Sequence, residues 1–311
     1  MQPLVILVGP TAVGKTAASI GLAKALNGEI ISGDSMQVFR GLDIGTAKIT
    51  ASEMAGIPHH LLDIKEPWEA FSVAEFKERA DAAIVQIAGR GKMPILVGGT
   101  GFYINSVLYD YHFGEADSDL AYRQQLQQYV TQHGKEALWK LLNKQDPKSA
   151  QRLHSNDTKR VMRALEVLHV TGIPASERQQ TVDRQAMRYQ AAYLALNLPR
   201  DILYQRINQR VDLMIAQGLE QEVRQALAQG VPKDALSMTS LGYRQMIQYL
   251  DGEISLEKAI DLIKRDTRHF AKRQLTWFRH DPNIQWVEKQ GKSDAEVEAE
   301  LLQLTRQALC Q

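Results

Sequence analysis

The sequence predicts an α/β protein in which helices flank a parallel sheet. Short apolar runs that are typical of buried strands lie at 4–8, 29–32, 93–97 and 193–198, with a short extended segment at 57–64. Helical patterns lie at 16–26, 74–88, 159–170, 201–229 and 255–279. Strands that are joined through helical crossovers run parallel, and helices cover both faces of their sheet. The last two helical patterns predict a helical C-terminal region.

The first predicted strand and helix enclose a complete phosphate-loop pattern, G-x-x-x-x-G-K-[ST]. It consists of Gly9, Pro10, Thr11, Ala12, Val13, Gly14, Lys15 and Thr16. In a strand–loop–helix unit, backbone N–H groups and the helix dipole point toward an anion. Lys15 would add a positive charge on the phosphates, and the Thr16 hydroxyl would ligate Mg²⁺. The motif therefore predicts a sheet of the P-loop NTPase type that holds a phosphate chain, and it leaves the chemistry on that chain open.

Two polar residues follow the second and third predicted strands. Asp34 comes just after the strand at 29–32, and Thr100 comes just after the strand that ends at Val97. Ligands of parallel α/β folds bind at the carboxyl ends of the strands. We therefore expect Asp34 and Thr100 to lie in the same crevice as Lys15.

The middle of the chain predicts an all-helical insertion domain at 117–189. Glutamines accumulate there, leucines and Trp139 recur at helical spacing, and no strand-like run appears. The insertion separates the two parts of a catalytic core, residues 1–116 and 190–311.

Three cations crowd the first turns of the predicted helix at 159–170, and they are Lys159, Arg160 and Arg163. The dipole at that end of a helix favours acids, so a bound anion would compensate these cations. Pairing with nearby acids such as Glu166 explains the cations equally well.

Composition is that of an ordinary globular protein. The chain has 311 residues, of which 44% are hydrophobic and 23% are charged. The start Met1-Gln2-Pro3 lacks the regions of a signal peptide, and no apolar run has the length of a membrane span. We expect a cytoplasmic protein without a membrane partner, and a monomer. The single cysteine, Cys310, excludes an intrachain disulfide and a cysteine-rich zinc site.

The net charge of +1 hides a basic segment near the C-terminus. Between Lys264 and His280, six lysines and arginines stand against a single acid, Asp266. The cations at helical spacing are Arg265, Arg268, Lys272 and Arg279, and the interleaved aromatic residues are Phe270, Trp277 and Phe278. A solvated helix face and a polyanion site both explain such a stripe. Because the rest of the chain is acidic, the concentration of cations favours nucleic acid.

Two classes of function fit these features. In a small-molecule kinase, ATP would occupy the loop and Asp34 would activate an acceptor hydroxyl. In the second class, a pyrophosphate ester is the donor and an RNA is the acceptor. The strand that ends Val97-Gly98-Gly99 lacks the acid that commonly holds magnesium in nucleotide hydrolases, which counts against the kinase. A non-enzymatic nucleic-acid-binding protein leaves the loop and Asp34 unexplained.

Several blocks stand in a specific order and spacing along nearly the full length of the chain. They are Gly9–Thr16, Asp34–Val38, Asp43–Lys48, Ile57–Leu61, Gly98–Gly101, Arg160–Val167, Gly242–Gln245 and Ala271–Arg279. The set resembles the tRNA dimethylallyltransferase family, also called isopentenyl-diphosphate:tRNA transferases. The sequence ends without the cysteine- and histidine-bearing zinc finger of eukaryotic relatives, so the resemblance is to the bacterial type.

The resemblance implies transfer of a dimethylallyl group from dimethylallyl diphosphate to the N6 amine of the adenine immediately 3′ of the anticodon, with release of diphosphate. It implies that residues 9–16 hold the diphosphate, with Mg²⁺ as cofactor and Thr16 as its ligand. Asp34 matches the general base, and Thr100 matches a hydrogen-bond partner of the donor's bridging oxygen. Arg206 is similar to an arginine that clamps the diphosphate, and Arg210 lies one helical turn further on as a helper.

The resemblance also implies that the tRNA anticodon stem-loop is a partner. Residues that match tRNA-facing positions are Asp34, Ser35, Met36, Gln37, Arg123, Lys159, Arg160, Arg163, Thr239, Ser240, Leu241, Gly242, Tyr243, Arg244, Lys272, Arg273, Gln274, Trp277 and Arg279. His59 and His60 belong to a matching block and are interpreted as residues that shape a loop. The chain departs from the family pattern at 109–115, which lacks a proline, and at 239–241, which lacks an arginine.

Overall fold

The structure is a computed structural model that describes residues 1–109, 111, 119–178 and 186–310. The chain divides into two compact units. One unit comprises Met1–Asp110 and Arg184–Gln311, and the other comprises Tyr111–Asp183. The predicted start of the insertion at 117 and most of the segment 109–115 lie outside the described residues, so the domain boundaries stay predictions.

Within the described residues, the first unit is built on a parallel sheet of six strands. The strands are β1 (Pro3–Val8), β2 (Gly28–Ser32), β3 (His59–His60), β4 (Met93–Gly98), β5 (Gln190–Asn197) and β6 (Gln285–Glu288). They lie in the order β3-β2-β4-β1-β5-β6, and every pair of neighbours is parallel. The predicted α/β fold with a parallel sheet is confirmed.

The helices of the described chain are α1 (Lys15–Leu26), α2 (Val73–Gly89), α3 (Gly101–Leu108), α4 (Leu120–Gln145), α5 (Pro147–Arg152), α6 (Thr158–Thr171), α7 (Ala175–Arg178), α8 (Arg200–Ala216), α9 (Leu219–Ala228), α10 (Tyr243–Leu250), α11 (Leu256–Arg279) and α12 (Asp294–Leu309). Among the described residues, no helix is both long enough and apolar enough to span a bilayer.

The predicted elements differ from the structure in three respects. The single pattern at 201–229 forms two helices, α8 and α9, because Gly218 between them has φ 101°, which ends a regular helix. The predicted extended segment at 57–64 contains the two-residue strand β3. The elements α3, α10, α12 and β6 have no counterpart in the prediction.

β1 lies inside the sheet and is its most deeply buried strand, since residues 4–8 have no exposed surface. On one face, Val5 and Leu7 pack in a core that includes Leu22 of α1 and Leu301 of α12. Burying an aliphatic side chain of this size contributes about 1.5–3 kcal/mol. The packing fixes the carboxyl end of β1, from which the phosphate loop emerges.

The main chains that leave β2 and β4 touch directly. The N–H of Gly33 donates to the carbonyl oxygen of Val97 at 2.7 Å. A Cβ atom at Gly98 would lie 2.3 Å from the carbonyl oxygen of Gly33, so only glycine fits there without moving a neighbour. The contact holds the residues that follow, Asp34 and Thr100, beside each other.

The second unit is helical in its described elements. Its core includes Leu138 and Leu142 of α4 and Val161 and Leu165 of α6. α4 is kinked at Gly134, which has non-helical φ 82° and ψ 167°. The kink lets the two halves of α4 follow the same core.

Candidate active site

The phosphate loop joins β1 to α1 through backbone conformations that favour glycine. Gly14 precedes the first residue of α1 with φ 97°. At Gly9, φ is 145°, and an added Cβ atom would lie 2.8 Å from the carbonyl oxygen of Leu196 on β5. The Lys15 ammonium donates to the carbonyl oxygens of Gly9 and Pro10, both at 2.9 Å, so the lysine is folded back over its own loop.

A pocket of about 110 Å³ lies in front of the loop. Residues from six separate parts of the sequence line it, among them Lys15, Thr16, Asp34, Gln37, Thr46 and Arg210. Burial and the nearby charge of Arg210 lower the pKa of Lys15 to about 8, although the charge of Asp34 acts in the opposite direction. Two cations share this small space, which is an arrangement that attracts an anion.

Asp34 and Thr100 meet where β2 and β4 end. Oδ1 of Asp34 accepts the N–H groups of Met36 at 2.8 Å and Gln37 at 3.4 Å, which fixes the carboxylate in a turn. Thr100 Oγ1 accepts the N–H of Ser35 at 3.2 Å. Among the described residues, no donor lies within hydrogen-bonding distance of Asp34 Oδ2. This oxygen is therefore available to accept a proton from a ligand.

Gln274 ties the phosphate loop to the end of β4. Its side chain on α11 accepts the N–H of Thr11 at 2.9 Å and donates to the carbonyl oxygen of Gly99 at 2.9 Å. The residue is 6% exposed, so both ends of its amide are used inside the protein. The structure thus gives Gln274 a role in shaping the pocket, and its predicted contact with tRNA stays a prediction.

The two arginines proposed for the diphosphate lie one turn apart on α8 and differ in position. Arg210 lines the pocket beside Lys15. Arg206 is exposed and is not among the residues that line it. The geometry therefore favours Arg210 as the cation that acts on a bound phosphate in this conformation.

The segment Asp43–Lys48 forms one wall of the pocket through Thr46 and Ala47. Its first residues are held by Glu222 of α9, a contact that sequence reasoning missed. Tyr243, predicted to face tRNA, is buried and donates its hydroxyl to Glu222 Oε1 at 2.6 Å. Burial and the charge of Glu222 raise the pKa of Tyr243 well above its usual value, so the hydroxyl stays a donor.

Around Tyr243, the predicted tRNA-facing segment 239–244 is only partly exposed. Thr239 and Arg244 are exposed, whereas Gly242 is buried. Arg244 also pairs with Asp266 of α11 at 2.9 Å.

The basic segment of α11 divides into paired and outward-facing cations. Lys264 pairs with Asp212 at 2.6 Å, and Arg265 pairs with Asp266 at 2.9 Å. Arg268 donates to the side chain of Asn208 at 2.7 Å. Lys264 and Arg268 thus contact α8, whereas Arg265 pairs with an acid of its own helix.

The second half of α11 presents an exposed face with a shallow groove of about 490 Å³. The groove is lined by His269, Lys272, Arg273, Thr276, Trp277 and His280. The Trp277 ring also covers Gly101 at the start of α3, where an added Cβ atom would lie 2.2 Å from the ring. Arg279 is exposed at the end of the helix. Cations beside an exposed indole suit a nucleic acid, because the cations can contact phosphates and the indole can stack on a base.

The second unit carries its own exposed cations. Glu166 is fully buried, and it accepts Arg123 Nε and Arg163 Nη1, each at 2.7 Å. Burial alone would raise the pKa of Glu166, but the hydrogen bonds from the two arginines outweigh burial and hold the pKa below its usual value. Lys159 and Arg160 are exposed on the first turn of α6. Of the three cations on this helix, Arg163 therefore pairs with Glu166, which is one of the two explanations that the sequence allowed. The side chains of Arg123 and Arg163 both remain partly exposed.

His60 lies in β3 and contacts an acidic residue of the neighbouring strand, and its interpretation as a residue that shapes a loop stays a prediction. Its Nε2 lies 2.7 Å from a carboxylate oxygen of Glu29, a residue on β2 that also pairs with Arg90 at 2.6 Å. His59 Nδ1 lies 2.8 Å from the carbonyl oxygen of Ile57.

The pocket fits a magnesium ion that binds together with phosphate. Mg²⁺ usually keeps several waters and takes few protein ligands beside the phosphate oxygens. Within the described ranges, no group of three His, Cys, Asp or Glu side chains is placed to hold a metal without such help. Thr16 places a hydroxyl at the pocket, which is the ligand that phosphate-loop proteins supply.

Fold and site together define a phosphate-loop α/β protein with a carboxylate at the phosphate pocket and an exposed basic face. The family model described as IPP transferase matches residues 37–281. The chain belongs to the IPP transferase family, whose members are transferases.

Individual relatives cover nearly the whole chain. A tRNA dimethylallyltransferase of Geobacillus thermodenitrificans is 52% identical over 92% of this chain and 90% of its own length. The solved structure of the tRNA isopentenylpyrophosphate transferase of Bacillus halodurans is 45% identical, covers 99% of this chain and 98% of its own, and has a TM-score of 0.74. A eukaryotic dimethylallyltransferase acting on tRNA is 29% identical, covers 96% of this chain and 78% of its own, and has a TM-score of 0.78.

Proposed function

We propose that this protein transfers a dimethylallyl group from dimethylallyl diphosphate to the N6 amine of the adenine immediately 3′ of the anticodon of tRNA. One observation carries the proposal: in a member of the IPP transferase family, the carboxylate of Asp34 stands at the same pocket as Lys15 of the phosphate loop. A carboxylate and a phosphate-binding cation at one pocket suit a reaction that removes a proton from the acceptor and a diphosphate from the donor.

The phosphate loop is proposed to hold the leaving group. As the C–O bond of the allylic diphosphate breaks, its electron pair moves to the diphosphate, and negative charge grows there. Preorganised cations and backbone N–H groups stabilise charge that develops in the transition state. Lys15 and Arg210 line the pocket and would act on this charge, with Arg206 as a further proposed clamp. Mg²⁺, held by Thr16 and the diphosphate, would neutralise part of the same charge.

Asp34 is proposed to act as the general base. The adenine amine forms a bond to the allylic carbon while the carbon–oxygen bond to diphosphate breaks, and the amine then carries one proton too many. Asp34 Oδ2 would accept this proton, while Oδ1 stays fixed by Met36 and Gln37. General-base help of this kind contributes about 10²- to 10⁴-fold to a rate. The Thr100 hydroxyl would donate to the bridging oxygen of the donor.

The anticodon stem-loop is the proposed acceptor. The target adenine has to leave the stack of the loop to reach a pocket, as bases do in other modifying enzymes. Exposed cations of α11, Lys272, Arg273 and Arg279, would contact its phosphates, and those of the second unit would do the same. The monomeric state and the cytoplasmic location stay predictions.

Labelled substrates test the proposal. The purified protein is offered labelled dimethylallyl diphosphate, Mg²⁺ and unmodified tRNA, and in parallel ATP with candidate kinase acceptors. We expect the label to enter tRNA at the adenine 3′ of the anticodon. Phosphate transfer from ATP, with no label in tRNA, would identify a kinase instead.

A further inference from the structure

Glu222 of α9 is buried and accepts hydrogen bonds from a loop far away in the sequence. Its Oε2 accepts the N–H groups of Asp43 at 2.8 Å and Ile44 at 2.7 Å. Its Oε1 accepts the N–H of Gly45 at 3.0 Å and the hydroxyl of Tyr243 at 2.6 Å. Three consecutive N–H groups that converge on one anion form a nest, and here the anion is a side chain of the protein itself.

The Tyr243 ring also contacts the loop. A Cβ atom at Gly45 would lie 2.5 Å from this ring, so the backbone of the loop rests directly on the aromatic surface. Tyr243 has no exposed surface, and Glu222 is 8% exposed. The start of the loop therefore has little freedom to move while both contacts persist.

The restrained loop continues directly into the phosphate pocket. Thr46 and Ala47 follow Gly45 and line the same pocket as residues of the phosphate loop. Their carbonyl oxygens accept the side-chain amide of Gln37 at 3.2 and 3.4 Å. The N–H of Gln37 in turn donates to Asp34 Oδ1. A chain of bonded groups thus runs from Glu222 to the wall of the pocket and to the carboxylate at its edge.

We propose that Glu222 is a positioning residue that fixes the Asp43–Ala47 wall of the pocket in the conformation that accepts a diphosphate ester. This role rests on the proposed function, in which the ester is dimethylallyl diphosphate. Glu222 is not among the residues that line the pocket, and it acts through the loop.

The chemistry of the contact requires a carboxylate. Each oxygen of Glu222 accepts two donors, and three of the four partners are backbone N–H groups, which can only donate. Glutamine has the same shape, but its NH₂ group is a donor and would face two N–H groups, or one N–H group and the Tyr243 hydroxyl. In either orientation, Glu222→Gln places its NH₂ group against at least one backbone N–H group and loses that hydrogen bond, without creating a cavity.

Binding of inorganic diphosphate with Mg²⁺, measured by calorimetry on the full chain, tests the role. Glu222→Gln is expected to weaken this binding about tenfold, because a smaller fraction of molecules holds the competent loop conformation. Tyr243→Phe, which removes one hydroxyl, is expected to weaken it less. The affinity for tRNA, measured separately, should stay at the wild-type value in both variants, because the Tyr243 side chain has no exposed surface and Glu222 is buried, so neither offers a contact to tRNA. Glu220→Gln is the matched control, since Glu220 lies on the same helix and forms an exposed pair with Arg224.

Two results would overturn the proposal. One is wild-type diphosphate affinity in a folded Glu222→Gln protein. The other is a parallel loss of diphosphate and tRNA binding, which would mean that Glu222 supports the fold in general. If Glu222→Gln does not fold, Tyr243→Phe decides by the same comparison. The probe is diphosphate itself, so this test does not depend on prenylation of tRNA. Failure of the wild-type protein to prenylate tRNA would refute the proposed function but not the role of Glu222.

Discussion

Raising the pH through about 8 is expected to weaken diphosphate binding, because Lys15 loses its charge. Burial, and then the charge of Arg210, lower the pKa of Lys15 from 10.5 to about 8. Below this pH the ammonium is charged before the ligand arrives. Above it, the unliganded protein holds a neutral amine, and binding of the anion requires uptake of a proton. The affinity should therefore fall about tenfold between about pH 7 and about pH 9, whereas a lysine with the ordinary pKa would leave it unchanged over this range.

Calorimetry of inorganic diphosphate with Mg²⁺ measures the effect. Diphosphate also titrates in this range, so the affinity of the wild-type protein is divided by that of Lys15→Met at each pH. The ratio removes the ligand's own titration and isolates the charge of Lys15. We expect the ratio to be largest near neutral pH and to fall above pH 8. A ratio that stays constant between about pH 7 and about pH 9 would refute the reasoning, because it would place the pKa of Lys15 outside this window.

Three further predictions concern the base, the basic face and the second unit. Asp34→Ala should reduce turnover by at least about 10²-fold and leave tRNA affinity nearly intact, and near-normal single-turnover rates would remove Asp34 as the base. Lys272→Ala combined with Arg273→Ala should weaken tRNA binding and flatten its dependence on salt, so an unchanged salt slope would mean that these cations face only solvent. Glu166→Gln should lower the free energy of unfolding by about 1–3 kcal/mol in urea titrations, because two guanidinium groups lose a charged acceptor. Wild-type stability in that variant would contradict the importance of the buried carboxylate.

The phosphate pocket could be predicted from the sequence where its residues follow strands. Lys15 and Asp34 each stand just beyond a buried apolar run, and parallel strands bring such positions to one edge of a sheet. The complete phosphate-loop pattern indicated that this pocket binds phosphate. The structure places both residues at one pocket, as this reasoning predicts.

The choice between Arg206 and Arg210 could not be made from local pattern. Both arginines precede a buried apolar residue of α8, Ile207 or Val211, so they share one side of the helix. They differ in which turn of the helix reaches the pocket. That difference is set by packing against other elements, which periodicity does not report.

Contacts between distant segments were also beyond the sequence pattern. Glu222 lies 177 positions from Gly45, and no spacing rule joins a helix to such a loop. One signal was present, since Glu222 stands between the buried residues Leu219 and Val223 on the apolar side of α9. An acid on an apolar helix face needs buried hydrogen-bond donors, and searching for them would have indicated a structural contact.

The contact between Gly33 and Gly98 limits how this enzyme can be redesigned. A larger or differently shaped pocket can be sought by exchanging side chains along its walls. The spacing of the two main chains, however, is set by the absence of a side chain at Gly98, where even a methyl group would meet Gly33. Any substitution there would push β2 and β4 apart at their ends and separate Asp34 from Thr100. Engineering for new donors or acceptors should therefore keep this pair of glycines and vary the residues around it.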